Sequence, residues 1–544
     1  MKLKRGWLII LASLIIIFGG LLRVVKLGDF PKGLYWEEVA LGYDAYSILK
    51  TGADFHSQRF PLVAFESFGD YKPSGYFYAA AISEFFLGLN DVAVRLPSVL
   101  AGVGLIVLGM LLAREIFSQA KQQNWLILVS GLMIAFSPWA LQFSRAAFEA
   151  NLAAFFSGLG IWLLFKSQRR GFLLPLAALA FIVSIYTYHA ARLFVPLLLI
   201  AYSLMFWRNL KKQWLWIILA GLGGCFLILP IIFKLQSVEV GHRFQETSAF
   251  TEVEPISKIN QLREADGNTL LTRLIHHRYW YYSETFLRNL LVHFDPNYLF
   301  VSGDTNLRHS TGQVGVFYLI DAVFLIWGLA AIARKPDKGT VFLLVWWVAA
   351  LVPAALTRAA PHALRTLGAI PAPQLIIAYG LVELSRVIWR RFKVKPWLWV
   401  GIVVAVYGLF VGRYLADYFG DYARRSATWW QVDYPEMIGW VTAHQDQYDQ
   451  VYISRIHGRP SMYYFFYNQV DPQLVQAEEV SAAKDQGERL SFDKITFGLP
   501  GEEPRQSRVL IVAGSDEVAY GKSVWQSTNL EGLVFEAWEV INEP

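Results

Sequence analysis

The sequence predicts an all-α polytopic membrane protein of about eleven transmembrane helices, followed by an extracytoplasmic α/β domain at the C-terminus. Three observations carry this prediction. Apolar runs long enough to cross a bilayer recur along the first three quarters of the chain. Short basic clusters punctuate those runs. Beyond about residue 415 the apolar runs stop, and charged segments with alternating helix and strand patterns take over.

The runs come in order. Residues 214–233 meet the length of a spanning helix outright, whereas 7–22 and 397–410 reach it with a few flanking residues. Lys2, Lys4 and Arg5 before the first run place the N-terminus inside. The run is too long for a typical signal sequence and lacks a clear cleavage site, so it reads as an uncleaved first span. Further inside clusters are Lys121, Lys166 with Arg169 and Arg170, Arg208 with Lys211 and Lys212, Arg334 with Lys335 and Lys338, and Arg386 to Lys395.

All of these can lie on one side only if residues 73–89 do not cross. That segment is short and holds Pro73, Gly75 and Glu84, so it reads as an interfacial or re-entrant helix. The expected spans are then roughly 7–27, 95–113, 125–140, 150–166, 172–188, 192–207, 214–234, 313–333, 340–357, 366–386 and 396–414. Outer loops follow at about 28–94, 141–149, 188–192, 235–312 and 357–365. Two domains result: a membrane domain over 1–415 and an outer domain over 416–544. In the latter, 451–454 and 508–513 read as strands and 435–444 as a helix.

Composition agrees. Hydrophobic residues make up 55% of the 544 and charged residues 17%, below the roughly 25% of ordinary soluble domains. The formal net charge of +6 sits in the topological clusters, so nucleic acid is not an expected partner. A single cysteine, Cys225, rules out an intrachain disulfide. No Walker loop, dinucleotide-binding glycine pattern, HExxH or nucleophile elbow occurs in a supporting context.

The unusual polar residues gather in the outer loops. Glu37 and Glu38 stand where a helix begins, with Gly52 as its stop. A carboxylate there is held ionised by the helix dipole and can serve as a base; it can equally be a simple cap. Asp70 and Lys72 precede Pro73, which suits the first turn of a helix, so Lys72 is a candidate phosphate cation or a snorkelling lysine. Arg95 follows at the mouth of the second span. Arg145 and Glu149 are spaced to pair on one helical face. His189 with Arg192, and His362 with Arg365, repeat one spacing in two outer turns. Arginine forks suit phosphate. Cations and carboxylates at a lipid boundary suit a substrate with a lipid tail and a phosphate.

The ordered set Trp36-Glu37-Glu38, Lys72-Pro73, Arg95-Leu96-Pro97-Ser98, Ser144-Arg145 and Glu149 resembles the GT-C superfamily of membrane glycosyltransferases over about residues 1–390. Within it the set is similar to bacterial aminoarabinose transferases of lipid A and to protein O-mannosyltransferases. The resemblance implies transfer of a sugar from a polyprenyl-phosphate donor to an extracytoplasmic acceptor, in the cell membrane. It implies a catalytic role for Glu37 and Glu38, which occupy the family's acidic pair, although Asp is usual where Glu37 stands. Lys72 and Arg95 map to its Lys-Pro and Arg-Leu-Pro-Ser motifs. With Arg145, Arg192 and Arg365 they form the expected donor-phosphate set, and Asp70, Glu149, His189 and His362 the expected substrate contacts. The one-methylene difference leaves Glu37, Glu38 or Asp70 as the base.

Two other readings compete: a transporter or flippase for a lipid-linked sugar, and a non-catalytic binder. A transporter would place its charges near the midplane, often within repeated halves. Here they crowd one face. Adjacent His276 and His277 do not face one site on a helix, so no metal site is expected from them. Enzymes of the superfamily differ in their use of a divalent ion, which leaves the cofactor open.

Overall fold

The computed structural model describes residues 4–67, 70–234, 248–250, 254–477, 490–502, 504, 507–518, 521–527 and 534–542. Parts of the expected loop 235–312 therefore lie outside the described residues, as does the side chain of Asp70. The chain forms two compact units. The first comprises Met1–Leu22, Ala101–Phe143 and Ala150–Tyr414. The second joins Arg23–Leu100, Ser144–Glu149 and Leu415–Pro544.

Among the described residues, six helices are long and apolar enough to cross a membrane: Arg5–Val24, Asp91–Ile116, Glu149–Ser167, Ala191–Lys234, Lys338–Ala355 and Pro396–Tyr418. A bent pair, Gln123–Ala135 with Pro138–Ser144, makes a seventh if it is one span. Leu173–Thr187, Asp321–Arg334 and Ala372–Arg391 supply helices for the remaining expected segments. The run Ala191–Lys234 passes through a short tight turn at Lys211–Gln213 and holds two of them. The helix Trp214–Lys234 buries Ile231 alone and exposes Leu222, Phe226 and Phe233. So apolar a surface is stable against lipid rather than water. The protein is an integral membrane protein.

Close helix packing in the first unit uses small residues. Helices Asp321–Arg334 and Ala372–Arg391 meet through Gly328 and Gly380, where a Cβ on either would overlap the other's backbone.

In the second unit, the helix Trp36–Thr51 ends on Gly52 in the left-handed region, φ 73°, its N–H bonded to the carbonyl of Ile48. Strands β1 (Ala64–Ser67) and β2 (Asp70–Pro73) form an antiparallel hairpin, with Phe65 opposite Lys72. Pro73 thus closes a strand instead of opening a helix. The helix after it begins at Gly75 and runs to Leu87. Thirteen residues rise only about 20 Å, short of the roughly 30 Å hydrocarbon core.

The C-terminal part is a mixed six-stranded sheet of β3 (Gln450–Ile453), β4 (Ser491–Phe492), β5 (Ile495–Phe497), β6 (Arg508–Ala513), β7 (Lys522–Gln526) and β8 (Glu536–Ile541). Its order is β4-β5-β3-β6-β8-β7, with β3 parallel to both β5 and β6. Central β6 is buried on both faces from Val509 to Ala513, as its unbroken apolar run requires. The helix expected over 435–444 spans Tyr434–His444.

Candidate functional site

The two adjacent glutamates open the helix Trp36–Thr51, whose N-cap residue Tyr35 makes no side-chain cap. Their surroundings differ. Glu38 is fully buried and grips Arg95 through both oxygens, Nε to Oε1 and Nη2 to Oε2, each at 3.0 Å. The amide of Ala147 adds a third bond to Oε1 at 2.7 Å. Arg95 spends its other donors on the carbonyls of Leu27, Pro31 and Gly33. A guanidinium has five N–H groups, and these bonds use them all. Arg95 therefore has no donor left for a phosphate.

Glu37 points elsewhere. Its side chain is 31% exposed, with Lys72 Nζ at 3.1 Å and the Tyr35 hydroxyl donating at 3.2 Å. Lys72 is 6% exposed and reaches Glu37 from β2. The phosphate environment expected from a helix start is absent there, because Lys72 sits in a hairpin. Two more carboxylates lie in the same unit. Asp44, buried on the same helix, takes the amide of Phe55. Burial first, then the charge of Asp54, pushes Asp44 well above the carboxylate range, with Lys72 pulling the other way. Burial likewise pushes Asp54 up to about 6, against the amides of Gln58 and His56.

Arg145 lies in the turn between helices Pro138–Ser144 and Glu149–Ser167. It is thus not on one helix with Glu149, so the expected helical spacing of the two does not hold. Arg145 is buried and donates to the carbonyls of Val25, Lys26 and Phe30. Its Nε faces the Tyr418 hydroxyl at 3.3 Å, and its plane lies 5.1 Å from the Phe419 ring. Like Arg95, it ties down the start of the first long loop. Glu149, half-buried, opens the next helix.

The C-terminal segment anchors this loop. Gln431 Oε1 accepts the Trp36 amide at 3.0 Å and the Tyr463 hydroxyl at 2.7 Å. Tyr463 also lies 3.1 Å from the Leu34 carbonyl. Gln476 donates to Ser47, Thr51 and the Asp54 carbonyl. The acidic pair is therefore held against residues some four hundred positions away. No local pattern signals such contacts.

The remaining expected residues belong to the first unit. Arg192 and His189 lie at the turn into the helix Ala191–Leu210. Arg365 donates to Thr357 Oγ1. His362 stands beside Asp304 and His309, two residues on the long loop. Asp304 Oδ2 is 3.0 Å from His309 Nδ1 and 4.0 Å from His362 Nδ1. Burial pushes Asp304 up, yet the His309 hydrogen bond and the two histidine charges hold it at about 2. Burial, then the charges of His309 and Arg365, push His362 well below the usual imidazole value. Asp304 was not a sequence candidate. Its signal was the Asp304-Thr-Asn-Leu-Arg-His309 turn, where one carboxylate serves a nearby amide and a histidine.

No family model matches the chain. A Bacillus subtilis (strain 168) protein, YkcB, provisionally described as a mannosyltransferase, is 32% identical over 114 residues. That match spans 21% of this chain and 15% of YkcB. Among solved structures, ArnT from Cupriavidus metallidurans in the apo state superposes with a TM-score of 0.56, covering 98% of each chain at 13% identity. The same protein bound to undecaprenyl phosphate gives 0.55 over the same coverage. The archaeal oligosaccharyltransferase AglB from Archaeoglobus fulgidus, in complex with an inhibitory peptide and a dolichol-phosphate, gives 0.51 at 12% identity, over 85% of this chain and 63% of AglB. Coverage of nearly the whole ArnT chain includes the C-terminal sheet, which the motifs did not reach. The chain shares the fold of ArnT and of AglB.

Proposed function

We propose that this protein transfers a sugar from a polyprenyl-phosphate donor to an extracytoplasmic acceptor, with Glu37 as the base. The carrying observation is the contrast within the acidic pair. Glu38 is enclosed and fully bonded, whereas Glu37 is part-exposed beside a buried lysine. The fold shared with ArnT bound to undecaprenyl phosphate, and with AglB in complex with a dolichol-phosphate, supports the lipid-phosphate donor.

In this reading the acceptor's nucleophilic atom attacks the anomeric carbon and its proton passes to Glu37. The bond from that carbon to the phosphate oxygen breaks, and the lipid phosphate leaves with the electron pair. One displacement inverts the anomeric centre. Lys72 stabilises the departing phosphate, since Arg95 and Arg145 are engaged with loop carbonyls. Arg192 and Arg365 remain candidates for the same role, and His189, His362 and Glu149 for substrate contact. All eleven expected segments contain helix, which supports eleven crossings, an N-terminus inside the cell membrane and a C-terminal domain outside.

The test uses proteoliposomes and a radiolabelled polyprenyl-phosphate sugar. Glu37→Gln is expected to insert normally and lose transfer by about a hundredfold or more. Full transfer by that variant removes Glu37 from the mechanism. Translocation of the labelled lipid without transfer replaces the enzyme by a flippase.

A further inference from the structure

We infer that Asp304, His309 and His362 form a binding site for one divalent transition-metal ion of the zinc type, closing the loop around 302–316 onto the turn 357–366. The three side chains offer two imidazole nitrogens and one carboxylate oxygen, all within 4.8 Å of one another. Zinc bonds of about 2.0–2.2 Å at tetrahedral angles put ligand atoms roughly 3.3 Å apart. The separations from Asp304 Oδ2, 3.0 Å to His309 and 4.0 Å to His362, bracket that value. His362 Nδ1 completes the geometry by moving less than about 1 Å and giving up its long 3.4 Å bond from the Arg365 amide. Calcium and magnesium prefer all-oxygen shells, so the donor set selects a softer ion.

The surroundings hold these groups as ligands need to be held. Asp304 Oδ1 takes the Asn306 amide at 2.9 Å, and Oδ2 takes the Ala363 amide at 2.8 Å. The carboxylate is thus fixed by both segments. His293 Nε2 accepts the backbone amide of His362 at 3.2 Å, and its Nδ1 is anchored on the Asn289 carbonyl at 2.7 Å. The Phe143 ring packs 5.6 Å from His309. Outer partners of this kind fix ring orientation in metal sites. An ordinary buried aspartate–histidine hydrogen bond explains His309, but not the second imidazole 4.9 Å from the first. Three protein ligands leave a fourth position for water or an anionic oxygen. The inference does not rest on the glycosyltransferase reading.

The experiment takes the full chain in detergent, strips it with a chelator and titrates it with Co2+, then Zn2+. One ion per chain is expected, with the intense visible absorption of tetrahedral Co2+ bleached by Zn2+. Asp304→Asn and His362→Gln should each weaken Co2+ binding by about tenfold or more, the scale at which even outer-shell partners act. His276→Gln, on an exposed pair with Asp266, should bind as the wild type does. Weak octahedral absorption, no stoichiometric uptake by the wild type, or unchanged binding in both ligand variants overturns the site. Should a variant misfold, the wild-type spectrum alone decides, because it reports coordination number directly.

Discussion

Arg95 and Glu38 sit at 0% exposure with every guanidinium N–H used, and this environment determines what substitution does. Removing one partner leaves the other charged and buried, at a cost of roughly 3–5 kcal/mol. Arg95→Met alone and Glu38→Leu alone should each lower the melting temperature in detergent sharply. The double variant should lose less than the sum of the two, because no unpaired charge remains. Additive losses would show that the pair does not hold the loop. The residue types at Glu37 and Glu38 were legible as a candidate pair, but their division of labour was not. That division follows from which one meets Arg95, and from β2 bringing Lys72 to the other.

The helix Trp36–Thr51 and its stop were readable because helix ends follow local rules. Gly52 adopts φ 73°, and a Cβ there would come within 2.9 Å of the Phe60 ring. Gly52→Ala should therefore cost about 1–2 kcal/mol, since an L-residue resists the left-handed region. Unchanged thermal stability would mean that the turn relaxes freely. The segment 70–87 differs from the expected helix in one respect, a strand at its start. Proline fits a helix start and a strand end equally well, and the choice went to the strand because Ala64–Ser67 is available to pair with it. Strands β3 and β6 and the helix Tyr434–His444 announced themselves through apolar patterning, while their order in the sheet did not.

At the scale of the whole molecule, the compact units do change hands between Tyr414 and Leu415, but the second unit is larger than the segment after 415. The second unit gathers residues 23–100 and 144–149 together with the C-terminal sheet. Gln431 and Tyr463, which precede and follow the first strand of that sheet, fasten the start of the acidic helix to the C-terminal segment. Removing these two bonds with Gln431→Ala and Tyr463→Phe should loosen the loop by about 1–3 kcal/mol. Chymotryptic cleavage at Tyr43 and Phe55, both buried, should accelerate while membrane insertion persists. Unaltered protection would show that the C-terminal part carries the loop by other contacts.

The membrane class, the places of most helices and the residue types at the candidate site are legible in the chain alone. These depend on local sums: apolar length against bilayer thickness, glycine against backbone conformation. Tertiary structure alone decided that Glu38, Arg95 and Arg145 are spent on the loop, that Glu37 meets Lys72, and that Asp304 joins two histidines. Each outcome is a contact between distant segments, and at such range the partner is set by how helices and strands pack. Residue type states what a side chain can offer, and packing states whether anything is left to offer.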